Sequence, residues 1–175
     1  MQSATLLLAR TTETVFSRQR RFASDQDGEL PGDGVAQARA LASHLFLRGD
    51  VDVIACSGLR QAAATATIVA EVLGLPVVTL KDLREPSYGG WEGLTFTEVQ
   101  AAWSDEMFRW AADPHTAPPA AKAWPPRKHG YRPPIGVLER FPHRTIVAVT
   151  HVTPDQNDHP VGAGDRIRRP APHAP

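Results

Sequence analysis

A single cysteine, Cys56, in 175 residues has no partner within the chain, which excludes an intrachain disulfide framework and predicts a reducing, cytoplasmic setting. A charge excess of either sign is missing too, since 19 basic residues meet 19 acidic ones. Non-specific nucleic-acid binding needs a cationic surplus, so no nucleic-acid partner is expected. No stretch approaches the roughly 18 to 20 apolar residues of a membrane span, and the opening residues lack the basic start and the length of a signal peptide. Neither a membrane nor secretion is expected. Proline is scarce before residue 114, with three, and dense afterwards: seven fall between 114 and 134 and five between 154 and 175. Those later stretches exclude a continuous helix or inner strand. Charge divides along the same line, with 10 basic and 14 acidic residues in 1–112 against 9 and 5 in 113–175.

What is present is about one domain's length of chain with a hydrophobic fraction of 42%, enough for a sizeable core. Short β-like runs alternate with helical ones, the pattern of an α/β sheet with crossover helices. Strands are predicted at Thr5 to Ala9, Val51 to Cys56, Pro76 to Leu80 and Thr145 to Thr150. One helix, from about Val35 to Leu47, would bury Ala38, Leu41, Ala42 and Leu45. A second, from about Leu59 to Leu73, would bury Ala62, Thr65, Ala66, Val69 and Val72 and end at Gly74. Thr95, with Glu98 in the capping-box position, opens a third that runs to about Ala111. Gly89, Gly90 and Gly93 around Trp91 predict an ordered loop lying close to another backbone, and Trp103, Phe108 and Trp110 at helical spacing read as core. The expected architecture is a three-layer α/β/α sandwich on a mostly parallel sheet, spanning residues 1–153. Within it, 113–136 is an irregular proline-rich insertion or linker. Residues 154–175 form a disordered tail in which Arg166-Ile167-Arg168-Arg169 is a solvated cluster.

Ligands of open parallel sheets bind beyond the carboxyl ends of the strands, so the polar residues that follow each strand are the first candidates. Arg10 ends the first, Arg60 lies just past the second, Glu85 follows the third and His151 ends the last. Two guanidinium groups, a carboxyl and an imidazole suit a phosphate ester: arginine forks bind phosphoryl oxygens and a carboxyl can protonate a leaving alcohol. The plain alternatives are a solvated strand-end arginine for Arg10, a surface ion pair with Arg84 or Arg21 for Glu85, and a satisfied rim histidine for His151. For Arg60 a ligand is the better account, because a cation at a helix start opposes the dipole. No Gly-x-Gly-x-x-Gly follows the first strand, which argues against a simple dinucleotide binder.

The order of these residues resembles a known family. Leu6-Leu7-Leu8-Ala9-Arg10-Thr11-Thr12-Glu13-Thr14 is similar to the Leu-Leu-Val-Arg-His-Gly-Glu-Thr signature of the histidine phosphatase superfamily, which includes the phosphoglycerate mutases. Gly34-Val35-Ala36-Gln37-Ala38, Cys56-Ser57-Gly58-Leu59-Arg60-Gln61-Ala62, Leu83-Arg84-Glu85 with Tyr88-Gly89-Gly90-Trp91-Glu92-Gly93-Leu94-Thr95, and Val149-Thr150-His151 resemble further family motifs in family order. The Val152-Thr153-Pro154 that follows is similar to acid phosphatase domains found fused to ribonuclease H.

The resemblance implies a metal-independent, cofactor-free phosphomonoesterase acting on a small phosphorylated metabolite. It places phosphate binding on Arg10, Arg60 and His151, with Glu85 as proton donor. It also implies a nucleophilic histidine directly after the first arginine, where this chain has Thr11, followed by Thr12 in place of glycine. A threonine hydroxyl needs a base before it can attack, and its phosphate ester is stable. Weak or absent turnover is therefore expected. The competing reading is a non-catalytic relative that binds phosphate or another anion. Other departures are Ala23-Ser24-Asp25 in place of Ser-Gly-Arg, the missing Gly-Gly-Glu-Ser helix start around 120–136, with any helix there cut to Val137 to Phe141, and the proline-rich tail in place of a final helix and edge strand. They come in blocks flanked by good matches, the pattern that reading-frame shifts in a damaged gene would leave. Loss of the final elements predicts an uncovered sheet surface, with marginal stability or self-association.

Overall fold

The computed structural model describes residues 3–24, 28–85, 87–112, 116–121 and 135–151. Four strands, β1 (Thr5–Arg10), β2 (Val53–Cys56), β3 (Val77–Thr79) and β4 (Thr145–Thr150), form one sheet in the order β1-β4-β2-β3. Every pairing is parallel. β4, the last in sequence, enters the centre: Leu7 lies beside Val147, and Ile54 beside both Val147 and Val77. Its Thr-Ile-Val-Ala-Val-Thr sequence is rich in β-branched residues, and five of its six residues are buried.

Alternation along the strands sends side chains to two faces. Ile54, Cys56, Val147 and Val149 meet α2 (Gly32–Arg48) and α3 (Arg60–Leu73) through Ala42, Leu45, Ala62, Ala66 and Val69. On the other face Ala55, Ile146 and Ala148 pack with Leu80, Leu83 and Val137, the last from α6 (Ile135–Arg140). The sheet is thus flanked by helices on both sides, as the sequence predicts. α2 and α3 end at Gly49 and Gly74, whose N–H groups bond to the Leu45 and Ala70 carbonyls.

Several expectations need correction. Val72 is 43% exposed rather than buried, because the inward stripe of α3 runs through Gln61, Ala62, Thr65, Ala66 and Val69. The helix capped by Thr95 stops early: α4 (Phe96–Ala102) and α5 (Ser104–Ala112) are separated at Trp103, which leaves helical geometry at φ −141° and ψ 51°. The break turns α5 so that Met107 and Trp110 join Phe22, Tyr88, Trp91 and Val99 in a third cluster, with Trp110 edge-on to Trp91 at 5.5 Å. Phe108, expected in the core, is 75% exposed. A one-turn helix, α1 (Val15–Arg18), interrupts a segment read as irregular; Thr14 and Ser17 cap it reciprocally.

The loop around Trp91 does lie against other backbone, through Gly90 N–H to the Pro119 carbonyl (2.7 Å) and Gly93 N–H to the Phe22 carbonyl (2.7 Å). The proline-rich stretch 113–136 falls mostly outside the described residues, although α6 starts at Ile135, two residues before the expected Val137. The segment 154–175 lies wholly outside them. Among the described residues no helix is long and apolar enough to cross a membrane.

Candidate functional site

The strand order places the carboxyl end of β4 between those of β1 and β2, so whatever follows β4 sits in a crevice of the sheet. His151 follows it. Arg10 closes β1 opposite Thr150. One residue further, the Thr11 N–H bonds to the Thr150 carbonyl at 3.0 Å, which sets Thr11 beside His151.

His151 is 7% exposed and held at both ring nitrogens. Nε2 lies 2.7 Å from the Ser57 hydroxyl, and Nδ1 lies 3.3 Å from Oε1 of Glu85. The Tyr88 hydroxyl reaches the other Glu85 oxygen at 3.4 Å. Burial, followed by the fields of Arg10 and Arg84, pushes the His151 pKa down from 6.5 to about 4. The imidazole is therefore neutral at pH 7, and its contact with Glu85 is a polar contact of a neutral ring rather than an ion pair.

Arg60 is the first residue of α3 and is exposed. Its guanidinium lies over Gly28, where an added Cβ would come within 3.0 Å of Cζ. Ser24 is fastened by Glu92, whose carboxylate accepts from the Ser24 hydroxyl, from Ser24 N–H (2.9 Å) and from Tyr88 N–H (2.8 Å). Gln61, next to Arg60, donates to the Ser24 carbonyl at 3.1 Å. The segment after β1 is clamped in turn by the Gly34–Gln37 motif. Gln37 accepts the Glu13 N–H at 2.9 Å, and Gly34 faces the Glu13 carbonyl so closely that any Cβ would overlap it. Thr12 bonds through its N–H (3.3 Å) and its hydroxyl (3.2 Å) to Thr65 Oγ1. Thr65 spends its own hydrogen on the Gln61 carbonyl, so Thr12 is the donor in both.

The structure thus brings Arg10, Thr11, Glu85 and His151 to one edge, with Arg60 starting the adjacent helix. Glu85 faces His151, and Arg21 bonds instead to Glu98 (3.0 Å) and the Gly93 carbonyl (2.7 Å). Two participants went unassigned in the sequence: Ser57, which follows β2 and meets the strand-end criterion already applied, and Arg84, whose charge acts on His151. Asp25 lies outside the described residues. Among those described, no group of three or more His, Cys, Asp or Glu side chains could hold a metal ion.

The profile of the histidine phosphatase superfamily, branch 1, matches residues 6–154. The chain belongs to that superfamily. It is 33% identical over 150 residues to the bifunctional protein Rv2228c of Mycobacterium tuberculosis, a match covering 85% of this chain and 41% of that protein. The chain therefore spans less than half the length of this curated relative. Among solved structures, Bacillus stearothermophilus YhfR superposes with a TM-score of 0.73 at 27% identity, covering 85% of this chain and 74% of the other. Mycobacterial glucosyl-3-phosphoglycerate phosphatase in complex with inorganic phosphate gives 0.67 at 30% identity, covering 83% and 72%. This histidine phosphatase member shares their parallel sheet flanked by helices.

Proposed function

We propose that this histidine phosphatase homologue binds a phosphate ester, or free phosphate, at the edge formed by Arg10, Arg60 and His151, and hydrolyses phosphomonoesters weakly or not at all. On this reading the guanidinium groups of Arg10 and Arg60 supply paired donors for phosphoryl oxygens, and Glu85, protonated for that step, is the proton donor to a leaving alcohol. The ligand is a small phosphorylated metabolite, held without metal or cofactor in a cytoplasmic setting. A relative solved with inorganic phosphate supports the ligand class. The resemblance to acid phosphatase domains fused to ribonuclease H draws support from a relative named bifunctional, of which this chain spans 41%.

The observation that carries the weak-turnover reading is Thr11. It occupies the first position beyond β1, beside His151, where the sequence resemblance calls for the nucleophilic histidine. Losing a covalent nucleophile commonly removes several orders of magnitude of rate, because the remaining groups act as a unit with it. Two measurements test this: calorimetric titration with inorganic phosphate, and hydrolysis of p-nitrophenyl phosphate. Phosphate should bind, and hydrolysis should stay near background in the natural chain. Thr11→His with Thr12→Gly should raise hydrolysis, since the pair restores an imidazole and a small residue beside the phosphate. Robust hydrolysis by the natural chain, abolished by His151→Ala, would falsify the weak-turnover reading.

A further inference from the structure

We propose that Ser57 is a positioning residue: its buried hydroxyl donates to Nε2 of His151, bracing the ring whose Nδ1–H faces Glu85, and accepts from the Leu59 N–H, tying the start of the Arg60 helix to the same imidazole.

The assignment follows from counting hydrogens. A serine hydroxyl has one hydrogen and two lone pairs. The Leu59 N–H, 3.2 Å from Ser57 Oγ, takes a lone pair; the ring contact at 2.7 Å is the shorter of the two. A neutral imidazole also has one N–H. Placed on Nε2, it would turn the bare Nδ1 toward Oε1 of Glu85 at 3.3 Å, and an ionised Glu85, the state the proposal takes for the ligand-free chain, offers only acceptors. Placed on Nδ1, it makes both ring contacts donor-to-acceptor, with Ser57 as the donor at Nε2. Serine has little freedom to do otherwise. It is fully buried, and its N–H bonds to the Val149 carbonyl at 3.3 Å. Gly58, at φ +77°, turns the chain so tightly that a Cβ there would come within 2.6 Å of Thr79 Cγ2. That turn brings the Leu59 N–H back onto Ser57 Oγ. Leu59 is the N-cap of α3 and Arg60 its first residue, so one hydroxyl sets the relation between the Arg60 helix and His151.

The tautomer can be read from a two-bond proton–nitrogen correlation spectrum of the 15N-labelled full chain at pH 7, with His151 assigned by its loss in His151→Gln. A pyrrole-type Nδ1 and a pyridine-type Nε2 are expected. Ser57→Ala should move the Nε2 resonance toward that of a free pyridine-type nitrogen, and Ser57→Thr, which keeps the hydroxyl, should restore it. The consequence for the site rests on the phosphate reading above, in which the Nδ1–H turns from Glu85 to a phosphoryl oxygen: Ser57→Ala should weaken inorganic phosphate binding about tenfold, the effect of one buried hydrogen bond. An Nε2–H ring in the natural chain overturns the proposal without any variant, as does a Ser57→Ala spectrum identical to that of the natural chain. If the natural chain binds no phosphate, the proposed function fails, while the spectrum still decides the role of Ser57.

Discussion

Unfolding frees an imidazole that the fold keeps neutral. Unfolded, His151 titrates near 6.5; folded, burial and then the fields of Arg10 and Arg84 lower this to about 4. Between those pH values the unfolded chain binds more protons than the folded one, so stability rises with pH across the window. The contribution of His151 is complete above about pH 6.5 and is lost as pH falls through about 4. At about 1.4 kcal/mol per pH unit, the gap amounts to about 3.5 kcal/mol, of which about 3 kcal/mol is lost by pH 4. The side chain is only 3% exposed, so solvent screening removes little of this. It is a large share of the roughly 5–15 kcal/mol typical of a folded domain. Replacing His151 by Gln removes the titration while keeping a polar side chain. Asp52 and Glu98, whose carboxyls are held low by backbone hydrogen bonds from Thr145 and Thr95, also cost stability in acid, but they do so equally in both proteins. Urea unfolding followed by tryptophan fluorescence at pH 7, 6, 5 and 4 then isolates the imidazole. Relative to the variant, the natural chain should lose about 3 kcal/mol between pH 7 and 4. Parallel stability profiles for the two proteins would refute the buried, neutral assignment.

Glu92→Ala leaves Ser24 N–H, the Ser24 hydroxyl and Tyr88 N–H without their carboxylate, and should cost about 3 kcal/mol. In a thermal melt that is a drop of roughly 6–12 °C; a change under about 2 °C would show the network to be incidental. Gly34→Ala forces a methyl onto the Glu13 carbonyl. The helix must shift, at a cost of about 1–3 kcal/mol in urea unfolding, and phosphate affinity should fall because the segment after Arg10 moves with it. Phe108→Ser should change stability by less than about 0.5 kcal/mol, since the ring is 75% exposed and joins none of the three clusters formed by the described residues; a loss above about 2 kcal/mol would put it back in the core.

The features legible beforehand were those encoded within a few residues. A β-branched run makes Thr145–Thr150 a strand in any surroundings that bury it. Thr95 and Glu98 cap α4 through each other, with the Thr95 N–H bonded to Glu98 at 2.7 Å. The candidate site was legible as far as chemistry clusters at strand ends: Arg10 and His151 each lie at or just past such an end, and Glu85 follows β3. Short-range patterns failed where distant packing overrode local spacing. Helical periodicity cannot reveal that Trp103 leaves the helix so that Trp110 can reach Trp91, nor that Phe108 turns to solvent.

The sequence by itself determined the four strands and the two long helices, the residue types available at the sheet edge and the presence of Thr11 after Arg10, because propensity, capping and identity are local properties. Only the tertiary structure decided the order β1-β4-β2-β3, which inserts the last strand between the first two. That insertion brings Ser57 to His151 across 94 residues and places Glu85 against the other ring nitrogen. It also decided the charge state of the imidazole, since burial and the fields of arginines arriving from other elements exist only once the chain has closed around it.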